Sequence, residues 1–302
     1  MANENIISSV AGLITSEVLS AEVLMLLADR DASVLGHPAI LHATAAASTS
    51  LVVQVPHIGL GGYDLLSPVT EANEVANTQI TDGSTDVAIA MRAKRYTTSD
   101  LAGYVTQGKI GAAALARDLV ASVGQTLISL IAIAGSGYTA QAGPGTGVNL
   151  TWASFLAGKG KLSGAEANGP MLAVLHKQQW TDLEADALAL GYAPSIEGSG
   201  VLTLGLEQYK GNWFGIDIFV SKHVPTVNAG ADRGGCLIAP GAVAWANAPI
   251  DADGADLVAE FGTAKLERAR QGTFLQTAYI FSHAAGVSRA IDAAGVTIVS
   301  DA

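Results

Sequence analysis

The sequence predicts an α+β fold with a separate α/β lobe, and three patterns along the chain support this prediction. Strand-like alternation over residues 82–98 is followed by a long helical stripe over residues 110–134. A strand pattern at Met171–Leu175 then runs directly into a helical pattern at Lys177–Leu190. Long β-like segments return near the end of the chain, with Phe274–Phe281 among the clearest.

The composition indicates a folded protein. Of the 302 residues, 49% are hydrophobic and only 14% are charged, whereas disordered chains show the opposite balance. The low charged fraction suggests that partners cover part of the surface. The net charge is −11, from 16 Lys and Arg against 27 Asp and Glu, which argues against a dedicated nucleic-acid-binding protein. The single cysteine, Cys236, excludes an intrachain disulfide and a Cys-rich metal site.

The first residues carry no recognisable targeting signal. Residues 5–29 have the apolar spacing of an amphipathic helix, and the first basic residue is Arg30, whereas a secretory signal begins with positive charge. The other apolar stretch, Leu119–Ala134, is too short for a membrane span of about 20 residues and contains polar side chains. We therefore predict no membrane partner.

A two-stranded arm is predicted within residues 71–98, and Asp82-Gly83 is the hairpin-turn signal between its two limbs. A separate β-rich segment precedes it at residues 51–58, and Pro56 makes this segment an edge strand or a strand end. Beyond this turn, one predicted face comprises Val87, Ile89, Met91 and Ala93, and the other comprises Asp86, Arg92 and Lys94. Because an isolated hairpin is marginally stable, we expect the arm either to lie on another surface or to pair within its own domain.

Residues 151–250 are predicted to form the α/β lobe, after a Gly/Pro-rich break at residues 135–147. Thr151 or Ser154 is expected to cap its first helix. Its further apolar segments are Gly211–Val220 (a strand pair or one bent strand), Cys236–Ile238 and Val243–Ala246.

No motif in the sequence supports catalysis. Gly103–Lys109 matches the start of a phosphate-binding loop, but Ile110 stands where the Mg²⁺-binding hydroxyl is required. None of the six histidines has H-x-x-x-H spacing or lies beside Cys236. We therefore predict no catalytic residue, no cofactor and no metal site.

The order of these elements resembles the major capsid protein of tailed bacteriophages, whose fold is named for phage Hong Kong 97. The similar stretches are residues 70–101 (its extended loop), 111–133 (its spine helix), 171–186 (the strand-to-helix step that opens its axial domain), 209–225 (a strand ending in Pro) and 236–246 (a small apolar segment). The C-terminal part resembles strands of its peripheral domain.

The resemblance implies a division of the chain into five parts. They are an N-terminal arm (1–50), an extended β-hairpin loop with its lead-in strand (51–100), a peripheral domain with a spine helix (101–147), an axial domain (148–250) and C-terminal strands of the peripheral domain (251–302).

The resemblance also implies a structural protein of the virion, not an enzyme. Such a chain self-assembles into pentamers and hexamers of an icosahedral shell, in the bacterial host cytoplasm, and encloses double-stranded DNA without sequence-specific binding. Its expected partners are further copies of itself, a separate scaffolding protein, a portal and optionally a decoration protein. The alternatives are an encapsulin-like compartment, a small-molecule enzyme with its site in residues 151–250, and a phage tail-tube protein.

Charged residues of the arm are the candidate intersubunit contacts. The limb before the predicted turn is acidic, and the limb after it ends basic. The residues are Glu71, Glu74, Asp82, Arg92, Lys94 and Arg95. Because exposed ion pairs are individually weak, we expect them to set the register between neighbours. Charge reversal at Arg92 and Lys94 together is predicted to weaken assembly without unfolding the subunit.

Overall fold

The structure is a computed structural model, and it describes residues 37–44, 52–58, 82–99, 112–165, 167, 169–191, 209–248, 256–261, 264–271 and 276–301. The helices within these ranges are α1 (Ala112–Gly135), α2 (Trp152–Gly164) and α3 (Lys177–Ala189). The strands are β1 (Ile40–Thr44), β2 (Val52–Ile58), β3 (Asp82–Ala88), β4 (Ala90–Ser99), β5 (Gln141–Ala142), β6 (Met171–His176), β7 (Tyr209–Trp213), β8 (Ile216–Ser221), β9 (Thr226–Val227), β10 (Asp232–Ile238), β11 (Val243–Asn247), β12 (Asp256–Phe261), β13 (Ala264–Gln271), β14 (Gln276–Arg289) and β15 (Gly295–Asp301).

The long strand β14 organises a six-stranded sheet. The strand order is β1-β11-β14-β13-β12, and β4 also pairs with β14. Residues Gln276 to Ala285 of β14 pair with β4, and residues Ala285 to Arg289 of β14 pair with β11. Both pairings are antiparallel. β1 pairs with β11 in parallel. Strands β2 and β3 form a separate antiparallel ribbon.

The second large sheet has seven strands. Its order is β5-β15-β10-β6-β8-β7, with β9 paired to β10. Helix α2 contacts β15, and α3 contacts β6 and β8. Phe155, Leu172 and Phe219 are fully buried in the resulting core. Helix α1 contacts β14 of one sheet and β10 of the other, so it links the two sheets.

Several predicted elements are confirmed. The long helix is α1, and the strand-to-helix step is β6 followed by α3. Thr151 is the N-cap of α2, with Ser154 completing a capping box. Strands β7 and β8 form the predicted strand pair. The helical pattern over residues 5–29 lies outside the described residues.

The prediction of a hairpin turn at Asp82-Gly83 is wrong. Both residues belong to β3, where they pair with Ile58 and His57 of β2. A Cβ atom on Gly83 would lie 2.6 Å from Cε1 of the His57 ring. Glycine at this position therefore allows a close cross-strand approach and does not make a turn.

The predicted faces of the following strand also need correction. Val87 and Ile89 are buried as expected, but Met91 is 63% exposed. The strand is interrupted at Ile89, where β3 ends and β4 begins. Beyond this point the partner changes from β2 to β14, so the apolar face of β3 does not continue along β4.

The predicted division of the chain into domains remains a prediction. Each of the two large sheets contains strands from more than one of the predicted parts. β15, from the predicted peripheral C-terminal part, completes the seven-stranded sheet beside β10. β11, from the predicted axial part, joins the six-stranded sheet beside β14.

Two glycines of α2 are expected to respond differently to alanine. A Cβ on Gly160 would meet no atom within 4 Å, whereas one on Gly158 would lie 3.1 Å from Cδ1 of Ile298 and 3.3 Å from Cβ of Ala142. We expect Gly160→Ala to raise the free energy of unfolding by about 0.5–1 kcal/mol, because alanine is the better helix former. Gly158→Ala should gain less or destabilise. Urea denaturation measures both, and a larger gain for Gly158→Ala would contradict the packing described.

His176 is expected to make stability depend on pH. Its Nδ1 accepts a hydrogen bond from the backbone N–H of Gln178 and so caps α3. Burial, and then the positive charge of Arg233, hold the pKa of the His176 imidazole below its ordinary value of 6.5. The folded state favours the neutral ring, so the lowered pKa of His176 adds to the free energy of unfolding. This contribution is present above the unfolded pKa and is lost as the pH falls through the folded pKa.

Replacing His176 with asparagine tests this dependence. Asparagine caps helices well and does not titrate in this range. We expect His176→Asn to flatten the fall in the unfolding midpoint between about pH 7.5 and about pH 5. An unchanged pH profile would show that other groups cause the fall.

Candidate subunit-contact surface

The β2–β3 ribbon is anchored to the six-stranded sheet at one end. Val55 and Val87 are buried in a small apolar cluster, together with three alanines of β11 and β14, Ala244, Ala246 and Ala284. At Gly286 of β14, a Cβ atom would lie only 2.0 Å from the carbonyl oxygen of Ala88. The absence of a side chain at Gly286 therefore allows the end of β3 to lie directly against β14.

The opposite end of the ribbon is exposed. Seven residue pairs connect Val52↔Ala88 at the base to Ile58↔Asp82 at the far end, a length of roughly 20 Å at about 3.3 Å per residue. Ile58 is 68% exposed. Glu71 and Glu74 lie outside the described residues, in the segment 59–81 that joins the two strands at this far end.

Arg92 and Lys94 lie on the face of β4 that is turned toward α1. Lys94 Nζ lies 2.7 Å from Asp118 Oδ2 and 2.5 Å from Ser122 Oγ, and it sits 5.1 Å from the centre of the Tyr96 ring. The Arg92 guanidinium donates to the carbonyl oxygen of Ala285 at 2.7 Å. Both side chains are half-buried, so each cation has contacts within its own subunit.

Arg95 does not share this surface. Successive side chains of a strand point to opposite faces, which places Arg95 on the other side of the sheet, and it is exposed there. For Asp82 the structure gives only its pairing with Ile58. The structure therefore groups Arg92 with Lys94, and it does not join the three predicted cations into one patch.

A crevice opens between β4, α1 and the turn that follows β8. Its volume is about 650 Å³, which lies within the range of ligand-binding clefts. The lining residues are Arg92, Lys94, Asp118, Ser122, Gln125, Thr126, Ser129, Leu130, Ile133, Lys222 and His223.

We call this the interlobe crevice, because β4 belongs to the six-stranded sheet and β8 to the seven-stranded sheet. Hydrogen bonds join its two sides. Ser221 Oγ donates to Gln125 Oε1 at 3.0 Å, and Ser129 Oγ donates to the carbonyl oxygen of His223 at 3.2 Å. Sequence reasoning missed Asp118, Lys222 and His223, because nothing in the local sequence signals that folding brings them beside β4.

Nothing in the described ranges suggests a metal or redox site. Within them, no group of three or more His, Cys, Asp or Glu side chains is placed to hold a metal ion. Cys236 is buried, and burial raises the pKa of its thiol to about 12, so it is protonated and unreactive at neutral pH. No helix in the described part of the chain is long and apolar enough to cross a membrane.

Comparison with known proteins is informative at the level of structure. No family model matches the sequence, and no curated protein matches it. The capsid of Ralstonia phage GP4 has a TM-score of 0.58 with 10% identity, over 87% of this chain and 87% of that chain. The head structure of Helicobacter pylori bacteriophage KHP40 has a TM-score of 0.53 with 10% identity, over 86% and 87%.

An encapsulin shares the same architecture. The holo-SrpI encapsulin complex from Synechococcus elongatus has a TM-score of 0.51 with 12% identity, over 85% of this chain and 83% of that chain. The protein therefore has the α+β fold of shell-forming proteins. More particularly, it has the phage capsid fold, which confirms the resemblance to the Hong Kong 97 type that the sequence suggested.

Proposed function

We propose that this chain is the structural subunit of a phage capsid, without catalytic activity. In this proposal it self-assembles into pentamers and hexamers that close into an icosahedral shell. The observation that carries the proposal is the phage capsid fold itself, which extends over 87% of both chains in the comparison with the Ralstonia phage capsid.

The ribbon is the feature best suited to join one subunit to another. Its base is packed and its far end is exposed about 20 Å away. Because a two-stranded ribbon has little core of its own, we propose that this far end lies on a neighbouring subunit. Segment 59–81, with Glu71 and Glu74, would be presented to that neighbour.

Charge complementarity supports a register between the two subunits. Arg92 and Lys94 are half-buried on one face of β4, and Arg95 is exposed on the other. We propose that Glu71, Glu74 and Asp82 of one copy face Arg92 and Lys94 of the next, and that Arg95 is a separate candidate contact on the opposite face of β4. Their contribution is mainly specificity, because exposed ion pairs contribute only about 0.2–1 kcal/mol each.

The further partners follow from a capsid role. The shell would enclose double-stranded DNA without sequence-specific contacts, and the net charge of −11 agrees with a subunit that does not bind DNA tightly. A separate scaffolding protein, a portal and a decoration protein are the other expected partners. The site of action would be the virion, after assembly in the cytoplasm of a bacterial host.

An encapsulin-like compartment is the second candidate, because the encapsulin fold is nearly as similar as the phage folds. Its cargo and the genes beside it would distinguish such a shell from a phage capsid. A tail-tube protein would give rings or tubes, and a small-molecule enzyme would remain a small oligomer with a specific ligand.

Sedimentation velocity of the full chain tests the proposal. The protein is measured alone and after co-expression with the product of the neighbouring gene that encodes its expected scaffold. We expect capsomers or closed particles in at least one condition. A compact monomer in both, at high protein concentration, would overturn the capsid proposal.

A further inference from the structure

The turn between β7 and β8 holds a phenylalanine in a strained backbone conformation. Its two central residues are Phe214 and Gly215, with φ angles of 55° and 77°, and Trp213 pairs with Ile216 at its base. Positive φ at both central residues is typical of a type I′ turn, whose first position favours Asn or Gly. Phe214 is strained there, because a left-handed conformation brings Cβ too close to the following carbonyl oxygen.

Side chains around the turn fix Phe214 in this conformation. The Asn212 side chain accepts a hydrogen bond from the backbone N–H of Gly215 at 3.2 Å, and the Lys159 ammonium donates to the carbonyl oxygen of Phe214. The Phe214 ring lies edge-on to the ring of Trp152, with 5.4 Å between the ring centres. Strained residues persist where surrounding contacts fix them, and they concentrate at functional positions.

The turn presents an apolar ring beside a positive charge. Phe214 is 58% exposed despite its contact with Trp152, and the Lys159 ammonium lies against its carbonyl group. We call Phe214, Gly215 and Lys159 together the aromatic tip. Well-packed aromatic side chains are among the residues that contribute most to protein–protein binding. A matching partner surface is apolar and carries negative charge.

The C-terminal end of helix α3 has these properties. Leu188 and Leu190 are 63% and 61% exposed there. Glu184 is exposed one turn before Leu188, on the same side of the helix, and the indole N–H of Trp180 donates to its Oε1 at 2.6 Å. The last turn of α3 contains no basic residue, so the partial negative charge of the helix C-terminus adds to that of Glu184. We call Glu184, Leu188 and Leu190 the α3 patch.

We propose that the aromatic tip of one copy binds the α3 patch of a second copy of this chain. The Phe214 ring contacts Leu188 and Leu190, and Lys159 faces Glu184. Within one subunit the ring and both leucines stay more than half exposed, so the two surfaces do not cover each other there.

This contact joins two different surfaces, so it is heterologous. Repeated heterologous contacts close a ring when the rotation between successive copies closes. The inference therefore deepens the proposed function, and it rests on that proposal in taking a further copy as the partner.

Replacing Phe214 tests the contact. Phe214→Asn removes the ring, and asparagine adopts positive φ more readily. Relief of strain should offset the lost contact with Trp152, so we expect the urea midpoint of unfolding to change little. Association measured by sedimentation velocity should weaken about tenfold, which corresponds to about 1.4 kcal/mol. Phe214→Tyr keeps the ring and should associate like the wild type. Wild-type association of Phe214→Asn would overturn the proposal.

Crosslinking between two chains tests which surfaces meet. One chain carries Ser163→Cys, one turn after Lys159 in α2, and a differently tagged chain carries Ala185→Cys in α3; both positions are exposed. The matched control replaces the second chain with Met91→Cys, at a position that is 63% exposed in β4. The native Cys236 is buried, so it does not compete. With a short bis-maleimide, we expect the mixed product of the first pair to exceed the control at least fivefold.

Charge variants in the Ala185→Cys chain add a second criterion. Glu184→Lys should lower the crosslinking yield about threefold, as expected from losing one exposed ion pair. Asp86→Lys, at an exposed acid of β3, changes the net charge equally and should leave the yield unchanged. Equal yields for the two cysteine pairs, or equal effects of the two charge variants, would each overturn the proposal.

The contact and the capsid role fail separately. Normal closed particles without selective crosslinking would refute the contact and leave the capsid role intact. Selective crosslinking in a chain that never forms closed particles would support the contact and refute the capsid role.

Discussion

Gly286→Ala is expected to lower the free energy of unfolding by about 2–3 kcal/mol and to prevent assembly. The new Cβ would lie 2.0 Å from the carbonyl oxygen of Ala88 and 3.0 Å from Val87 Cγ1. Because the nearest atom belongs to the backbone of β3, the ribbon base must move away from β14. Urea denaturation measures the loss of stability, and sedimentation velocity measures assembly.

Gly160→Ala is the matched control for this change, since it adds the same methyl group where nothing lies within 4 Å. It should assemble normally. If Gly286→Ala retained wild-type stability and assembly, the packing of the ribbon base against β14 would be incorrect.

Charge reversal at Arg92 and Lys94 together is expected to raise the subunit concentration needed for assembly about tenfold. Two lost intersubunit pairs at about 0.7 kcal/mol each give this factor. The structure adds a cost within the subunit, because a glutamate at position 94 would face Asp118 in place of the present ion pair. Both side chains of that pair are about half-exposed, so this cost is at most about 1 kcal/mol, and the subunit should stay folded.

The control for this variant is Lys177→Glu with Lys210→Glu. Both lysines are exposed on the seven-stranded-sheet side of the molecule, and the change in net charge is the same. Light scattering against protein concentration gives the assembly threshold of each variant. Equal thresholds for the two double variants would show that the charge of the chain matters and the position of Arg92 and Lys94 does not.

Elements set by local patterns were predictable from the sequence. The spacing of Leu127 and Ile131 predicted the second half of α1, and both residues are buried. The alternation of β4 correctly placed Arg92 and Lys94 on one face. The motif at Thr151 and Ser154 predicted the start of α2.

Pairings between distant parts of the chain were not predictable in this way. A period-2 pattern identifies a strand but does not name its neighbour, so the pairing of β15 with β10 was not foreseen. Asp82-Gly83 matches a hairpin-turn motif, but the group that requires glycine at position 83, the His57 ring, comes from another strand and leaves no local signal. Asp118, the ion-pair partner of Lys94 in β4, comes from another element for the same reason.

Electron microscopy of the purified full chain, expressed alone and with the proposed scaffolding protein, tests the proposed capsid role most directly. We predict closed particles whose images average with icosahedral symmetry, with the far end of each β2–β3 ribbon lying on a neighbouring subunit. Fields of unassembled monomers, or open tubes in place of closed particles, would contradict the account.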